Sequence, residues 1–166
     1  NLLDTPGHAD FSAEMERTLQ VLDYAILVIN GQDGIQAHTE TIWNLLKHYH
    51  LPVFIFVNKM DISFKEKTEL LEELQEKLSS SCVDFTDGIQ NNLEKIALAD
   101  EGLLEEYLEN QNINLSTIQR SLAERKVFPC FFGSALKMNH VDRLLDGLND
   151  LTESIDYDQE FKAKIY

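Results

Sequence analysis

The most informative residues of this sequence follow a run of apolar residues and read Asn58-Lys59-Met60-Asp61. The Asp61 carboxylate can accept hydrogen bonds from both the ring N–H and the exocyclic amine of a planar base, and its charge strengthens both bonds. Asn58 suits the carbonyl or ring-nitrogen side of such a base, or it ties neighbouring loops together. The aliphatic stem of Lys59 can lie against the base or sugar face. The alternative is a strand-to-helix turn with a helix cap, but the position directly after Val-Phe-Ile-Phe-Val favours base binding.

A second segment, Asp4-Thr5-Pro6-Gly7-His8, follows two apolar residues. A carboxylate at a strand end, here that of Asp4, can hold Mg²⁺ through a water molecule, because this ion keeps several of its waters. Gly7 lets a backbone N–H approach a phosphate oxygen with no side chain in the way. His8 can reach a water in line with the phosphorus, and phosphoryl transfer needs mainly such positioning and electrostatic stabilisation. The alternative is a Pro-Gly turn with a surface histidine.

The third segment is Gly133-Ser134-Ala135-Leu136, which follows the apolar residues 127–132. Small residues allow the backbone of a loop to come close to a planar ligand, and a backbone N–H here can donate to a purine carbonyl. Gly-Ser-Ala is also common in turns, so this segment indicates a binding site only in combination with the other two segments.

The elements that must position these segments are strands that alternate with helices. Continuous apolar runs predict strands buried on both faces at residues 24–29, 52–57 and 127–132. Amphipathic periodicity predicts helices from residue 10, at 35–50, 64–81 and 141–151, and further helices within 83–126. This alternation indicates an α/β fold with a parallel sheet and helices on both faces. In such sheets ligands bind at the carboxyl ends of the strands, where all three segments lie.

In this order, and each after a strand, the three segments resemble the GTP-binding domain of translational GTPases over about residues 1–152. The resemblance implies that residues 4–8 form switch II, with His8 as the catalytic histidine that orients the attacking water. It implies that Asp4 and Gly7 contact GTP, and that Asp4 holds Mg²⁺ through water. The residues that it implies for binding the guanine of GTP or GDP are Asn58, Lys59, Asp61, Ser134, Ala135 and Leu136.

The implied architecture is a G domain of the P-loop NTPase type at residues 1–152, with a helical insert at about 83–126. Residues 153–166 would be a linker and the start of a β domain. No Gly-Lys pair occurs in the chain, so the family's phosphate loop, Gly-x-x-x-x-Gly-Lys-[Ser/Thr], is absent, and its first strand is expected upstream of Asn1. We therefore expect this chain alone to bind GTP very weakly and to hydrolyse none measurably. Loss of that strand would expose sheet edges, so Leu2-Leu3 should re-pair, become disordered or form a dimer with another copy.

The spacing between the two guanine segments narrows the resemblance. About 75 residues separate Asn58 from Gly133. A segment of this length resembles the insert of ribosomal protection proteins for tetracycline resistance. It is shorter than the corresponding segment of elongation factor G or of the class II release-factor GTPase. The resemblance implies the ribosome as partner and a bacterial cytoplasm. The alternatives are an elongation factor G-type translocase and a non-catalytic partner-binding fragment. An unrelated small GTPase is disfavoured by His8, where many of those proteins carry glutamine.

Composition excludes several other classes. The chain has 166 residues and a formal net charge of -15, so its surface should repel phosphate backbones, and we expect no sequence-specific nucleic-acid binding by this chain alone. Its apolar runs are far shorter than the roughly 20 residues of a membrane span, so no membrane association is expected. Cys82 and Cys130 lack CxxC or zinc-ligand spacing, which predicts two buried free thiols.

Overall fold

The computed structural model describes residues 2–4 and 17–153. Within that part, four parallel strands form one sheet in the order β1-β2-β4-β3. The strands are β1 (Ala25–Asn30), β2 (Val53–Asn58), β3 (Cys82–Asp84) and β4 (Phe128–Phe132). The helices are α1 (Ala37–His48), α2 (Lys67–Lys77), α3 (Leu93–Ala97), α4 (Glu101–Asn110), α5 (Leu115–Ala123) and α6 (Val141–Leu151).

The central strand β2 is apolar throughout because helices cover both of its faces. Successive side chains of a strand point to opposite faces, so Ile55 and Val57 pack with α1 and α2. Phe54 and Phe56 pack on the other face with residues of α3, α4, α5 and α6. This arrangement confirms the predicted α/β fold with a parallel sheet between two helical layers.

The helices α1 and α2 are shorter than their apolar periodicity predicts. The structure places α1 at Ala37–His48 rather than 35–50, and α2 at Lys67–Lys77 rather than 64–81. The late start of α2 has a local cause. The Ser63 hydroxyl donates to the Gly31 carbonyl (3.0 Å) and accepts the N–H of Lys65 (3.1 Å). These bonds hold the chain in a non-helical path until α2 begins.

The strand β3 was missed by the sequence analysis, which took the residues from 83 onward as helical. Three residues are too few for a periodicity to show. Its strand character comes from pairing with β4, in which Cys82 lies beside Phe128 and Asp84 beside Cys130. The helices of this segment therefore begin only at α3. Both cysteines are buried and free, as predicted, and burial, followed by contact with Cys82, raises the pKa of the Cys130 thiol.

One edge of the described sheet is formed by β1, which pairs with β2. Its burial alternates along the strand and Val28 is 60% exposed, so the prediction of burial on both faces is wrong for β1 in the described part of the chain. Residues 2–4 have neither helical nor strand structure, and Leu2 is 85% exposed, so the structure pairs Leu2-Leu3 with no described strand. Of the helix predicted from residue 10, only residues 17–19 are described, and they are helical. The predicted β segment after residue 153 lies outside the described part of the chain. Among the described helices, none is long and apolar enough to cross a bilayer.

A hydrogen-bond network centred on Glu73 of α2 binds the segment between β1 and α1 to this helix. The Glu73 carboxylate accepts hydrogen bonds from Lys65 Nζ (2.8 Å), Lys77 Nζ (2.8 Å) and the N–H of Ile35 (3.1 Å). Partial burial raises the pKa of Glu73, but its hydrogen bonds to these groups outweigh burial and bring the pKa down to about 2. The carboxylate is therefore favoured in its charged form, which holds the segment before α1 against α2.

The Glu73 network predicts a loss of stability in acid. The folded pKa of about 2 lies below the ordinary 4.5, so this contribution is present above pH 4.5 and is lost as the pH falls toward 2. At pH 7 the Glu73→Gln variant should be less stable than the wild type by about 2 kcal/mol, discounted for the partly exposed lysines. Urea unfolding measured from pH 7 to pH 2 should show this difference shrinking with acid. A difference that stays constant with pH would contradict the assignment.

Candidate nucleotide-binding site

The loops that follow β2 and β4 lie side by side. These strands are parallel neighbours, so their carboxyl ends reach the same edge of the sheet. The N–H of Gly133 donates to the carbonyl of Val57 (3.0 Å), and the N–H of Met60 donates to the carbonyl of Gly133 (3.0 Å). The backbone thus joins two loops that lie far apart in the sequence.

The side chain of Asn58 links the two loops a second time. Its Oδ1 accepts the N–H of Lys59 (2.8 Å) and the N–H of Ala135 (2.9 Å). The sequence left two roles open for Asn58, a contact with the base or a tie between loops, and this geometry is that of the tie. Removing the amide would leave two backbone N–H groups without their acceptor.

The loop after β4 is closed by two backbone hydrogen bonds. The N–H of Ser134 donates to the carbonyl of Asn139 (3.0 Å), and the N–H of Asn139 donates to the carbonyl of Ser134 (2.9 Å). Ser134 is 1% exposed, whereas Leu136 at the tip of the loop is 88% exposed. The other N–H groups of residues 133–139 donate to acceptors within the protein, so the N–H of Leu136 is the donor that this loop leaves available for a ligand.

Lys59 and Asp61 stand exposed beside that loop. Lys59 has a φ of 64°, a left-handed conformation that is costly for a residue with a side chain. The N–H of Ile62 donates to the Lys59 carbonyl (3.2 Å), which closes a tight turn around Asp61. Strained backbone of this kind concentrates at binding sites, where the surrounding structure holds it in place. The turn therefore presents the Asp61 carboxylate outward from the edge of the sheet.

The loop after β1 also joins the site, through residues that the sequence analysis did not single out. The N–H of Gly31 donates to the carbonyl of Asn58 (2.8 Å). Asn30 folds the loop on itself, because its amide donates to the Asp33 carboxylate and its Oδ1 accepts the N–H of Gln32 (3.1 Å). A polar residue directly after an apolar strand is the signal that could have revealed Asn30, since Asn58 shows the same pattern.

The phosphate side of the predicted site is described only at Asp4, which is exposed. The predicted residues Gly7 and His8 lie outside the described part of the chain. Among residues 2–4 and 17–153, no group of three or more acidic, histidine or cysteine side chains could hold a metal ion. One exposed carboxylate does not by itself complete a Mg²⁺ site, because the octahedral shell of this ion needs further ligands such as phosphate oxygens. The described residues thus include the predicted base-binding side of the site and, of the predicted phosphate side, only Asp4.

An open cleft of about 560 Å³ lies elsewhere, between the start of the helical segment and α6. Its lining includes Phe85, Ile113 and Arg143, and none of the predicted site residues. We place the candidate site at the loops after β2 and β4 because the polar groups that could recognise a ligand converge there.

Known proteins resemble this chain in fold and in sequence. A crystal structure from Thermus thermophilus superposes with a TM-score of 0.77 at 22% sequence identity, covering 92% of this chain and 30% of that chain. The elongation factor G proteins of Mycoplasma pneumoniae and Mycoplasma genitalium are each 31% identical to this chain, over 93% of it. The chain spans 30% of the length of these two relatives.

The match to a protein family covers nearly all of the chain. The family described as the elongation factor Tu GTP binding domain matches residues 1–154. This range contains both described loops and the predicted residues Asp4, Gly7 and His8. The match confirms the resemblance to translational GTPases that the three segments indicated, and we conclude that this chain belongs to the elongation factor Tu GTP binding domain family.

Proposed function

We propose that this chain is the guanine-recognising part of the GTP-binding domain of a ribosome-associated protein that hydrolyses GTP to GDP and phosphate during translation. The observation that carries the proposal is the hydrogen bond from Ala135 N–H to Asn58 Oδ1 (2.9 Å). It unites the loops after β2 and β4 into one surface at the carboxyl edge of a parallel sheet. Membership of the GTP-binding domain family supports the choice of ligand.

Each group of this surface has a role in the proposal. The Asp61 carboxylate accepts the N1–H and the 2-amino group of guanine, which adenine does not offer in that arrangement. The Leu136 N–H donates to the guanine O6, and the stem of Lys59 lies along the base. Specificity for guanine follows, because an adenine would set its own 6-amino donor against the Leu136 donor and leave the Asp61 charge unpaired.

The proposed phosphate chemistry falls to residues 4–8. Asp4 would hold Mg²⁺ through water, Gly7 would donate its backbone N–H to a phosphate oxygen, and His8 would orient the attacking water. Neutralisation of phosphate charge by Mg²⁺ would complete this chemistry. Because these 166 residues contain no Gly-Lys pair, they lack the loop that supplies most phosphate contacts. We therefore propose that this chain by itself is inactive and that the full-length protein supplies the missing loop.

Within translation, we propose ribosomal protection against tetracycline in a bacterial cytoplasm. The support is the length of the segment between Asn58 and Gly133, about 75 residues. The two elongation factor G sequences extend over 203 aligned positions while covering 93% of this 166-residue chain, so they carry residues that it lacks. An elongation factor G-type translocase is the second candidate, and the names of these relatives favour it.

The deciding experiment compares three activities of the full-length protein. It should hydrolyse GTP and not ATP, and ribosomes should stimulate the reaction. Addition of the protein should restore tetracycline-inhibited translation without supporting translocation in a factor-depleted system. Restored translocation would instead identify the second candidate. Equal use of ATP and GTP would refute guanine recognition, and measurable hydrolysis by the 166-residue chain would refute its proposed inactivity.

A further inference from the structure

The strand that leads into the loop at residues 133–139 extends beyond its outer neighbour. β3 ends at Asp84, which lies beside Cys130, whereas β4 continues to Phe132. Successive backbone N–H groups of a strand point to opposite sides. The N–H of Gly133 points toward β2 and donates to the Val57 carbonyl (3.0 Å). The N–H of Phe132 therefore points away from β2, toward the side where β3 has already ended. Phe132 is buried, so this N–H needs an acceptor within the protein.

Thr86 supplies the acceptor that the ended strand does not. Its side-chain oxygen accepts the N–H of Phe132 at 3.0 Å, and Thr86 is 2% exposed. The carbonyl of Phe132 in turn accepts a hydrogen bond from Nδ1 of His140 at 2.8 Å. The last residue of β4 is thus held by two side chains where the regular ladder has stopped. A buried N–H without such a partner would be costly.

The position of Thr86 is set by an ion pair between the buried Asp84 carboxylate and the half-exposed Lys67 ammonium. The Asp84 carboxylate accepts the N–H of Thr86 (2.9 Å) and contacts Lys67 Nζ (2.6 Å). Lys67 Nζ also lies 3.2 Å from the Asp87 carboxylate and 6.0 Å from the centre of the Phe132 ring. The half-exposed ammonium thus supplies a positive partner to the buried Asp84 carboxylate, which would be costly to leave unpaired.

This network links the two elements next to the proposed guanine loops, the start of α2 and the end of β4. Lys67 is the first residue of α2, the helix that follows the loop of Asn58 and Asp61. Asp84 and Thr86 hold the end of β4, from which the loop of Ser134 departs. Building on the guanine site proposed above, we propose that Thr86, held by the Asp84–Lys67 pair, is a positioning residue that aligns the Ser134–Leu136 loop with the 6-oxygen of guanine.

The test measures binding of three diphosphates to the full-length protein by calorimetry. GDP uses both loops. Inosine diphosphate lacks the 2-amino group that Asp61 would accept but keeps the 6-oxygen. The 2-aminopurine riboside diphosphate keeps the 2-amino group but lacks the 6-oxygen and, with it, the N1–H that Asp61 would accept. The Thr86→Val variant keeps the shape of Thr86 and removes the acceptor, so it should bind GDP and inosine diphosphate about tenfold more weakly and the 2-aminopurine compound unchanged. The preference for GDP over inosine diphosphate should remain that of the wild type.

Two further variants separate positioning from plain stability. Thr86→Ser keeps the hydroxyl and should restore the wild-type preferences. Ser121→Ala removes another buried hydroxyl, which donates to the Asp100 carboxylate at 3.3 Å away from both loops. It should lower the melting temperature without changing the preference for any base. If Thr86→Val does not fold, Asp84→Asn gives the same comparison, because it keeps an acceptor for the Thr86 N–H and removes the charge that Lys67 binds.

The outcomes are distinct. Equal weakening of all three diphosphates by Thr86→Val, or a lower melting temperature with unchanged preferences, would overturn the positioning role. The same holds for Asp84→Asn if it is the variant that folds. A wild-type protein with no preference for GDP over either analogue would overturn the proposed guanine site itself, whatever the variants do.

Discussion

Replacement of Asp61 by asparagine should weaken GDP binding to the full-length protein about 100-fold. The carboxylate is exposed at the edge of the sheet and can accept two hydrogen bonds from guanine, each strengthened by its charge. An amide offers one acceptor and one donor, and the donor would face the 2-amino group of the base. Xanthosine diphosphate carries an oxygen at that position, so its affinity for Asp61→Asn should rise by about tenfold or more. Calorimetric titration with both nucleotides measures the exchange.

The matched control for Asp61→Asn is Glu72→Gln, which removes the same charge from an exposed position on α2. It should leave both affinities within about twofold of the wild type, because an exposed charge outside the site acts only through screened electrostatics. If Asp61→Asn and Glu72→Gln behaved alike toward GDP, Asp61 would not be the group that reads the base.

Replacement of Gly133 by alanine should have the largest effect on stability among single changes at the site. A Cβ at residue 133 would lie 2.3 Å from the carbonyl oxygen of Asn139 and 3.2 Å from the ring of Phe56. The Asn139 carbonyl cannot move away freely, because it accepts the N–H of Ser134 that closes the loop. We expect Gly133→Ala to lower the free energy of unfolding by about 2–4 kcal/mol. Urea unfolding of the 166-residue chain would measure this loss.

Gly102→Ala is the control for that experiment. Gly102 lies exposed in α4, and its added Cβ would meet only the end of the Asp100 side chain, at 3.3 Å. Alanine is the better helix former, so this variant should be as stable as the wild type or more stable by up to about 1 kcal/mol. Gly133→Ala with the stability of Gly102→Ala would mean that the loop after β4 tolerates a displaced Asn139.

The layer architecture could be predicted because burial leaves a direct trace in the sequence. Val53 to Val57 are apolar without alternation because β2 is covered on both faces, and the same pattern identified β4. The apolar run also located β1, although the burial of that strand alternates. The segments after β2 and β4 could be predicted to meet, because parallel neighbours present their carboxyl ends at one edge. Their contact through Asn58 and Ala135 follows from that topology.

What could not be predicted depends on contacts between distant residues. β3 is three residues long, and only its pairing with β4 makes it a strand. Thr86 becomes an acceptor for Phe132 only because the ladder between β3 and β4 stops at Asp84 and Cys130, which no local pattern reports. The late start of α2 depends likewise on the bond from Ser63 to Gly31. Propensity and periodicity describe the preferences of a segment, and these three features arise from its neighbours.

Because β3 pairs with β4, the helical segment between these strands can change in length without changing the geometry of the sheet. The chain departs after Asp84 and comes back at Phe128, and these ends belong to adjacent strands about 5 Å apart. The residues between them therefore form a loop with fixed ends. Each doubling of the length of this loop would add only about 0.6 kcal/mol to the entropic cost of closing it. Gln111, in the left-handed turn after α4, is far along the chain from either end of this loop. A fluorescent or affinity domain spliced at that turn would leave the spacing of the strands untouched, which makes it a natural attachment point for tracking the protein in cells.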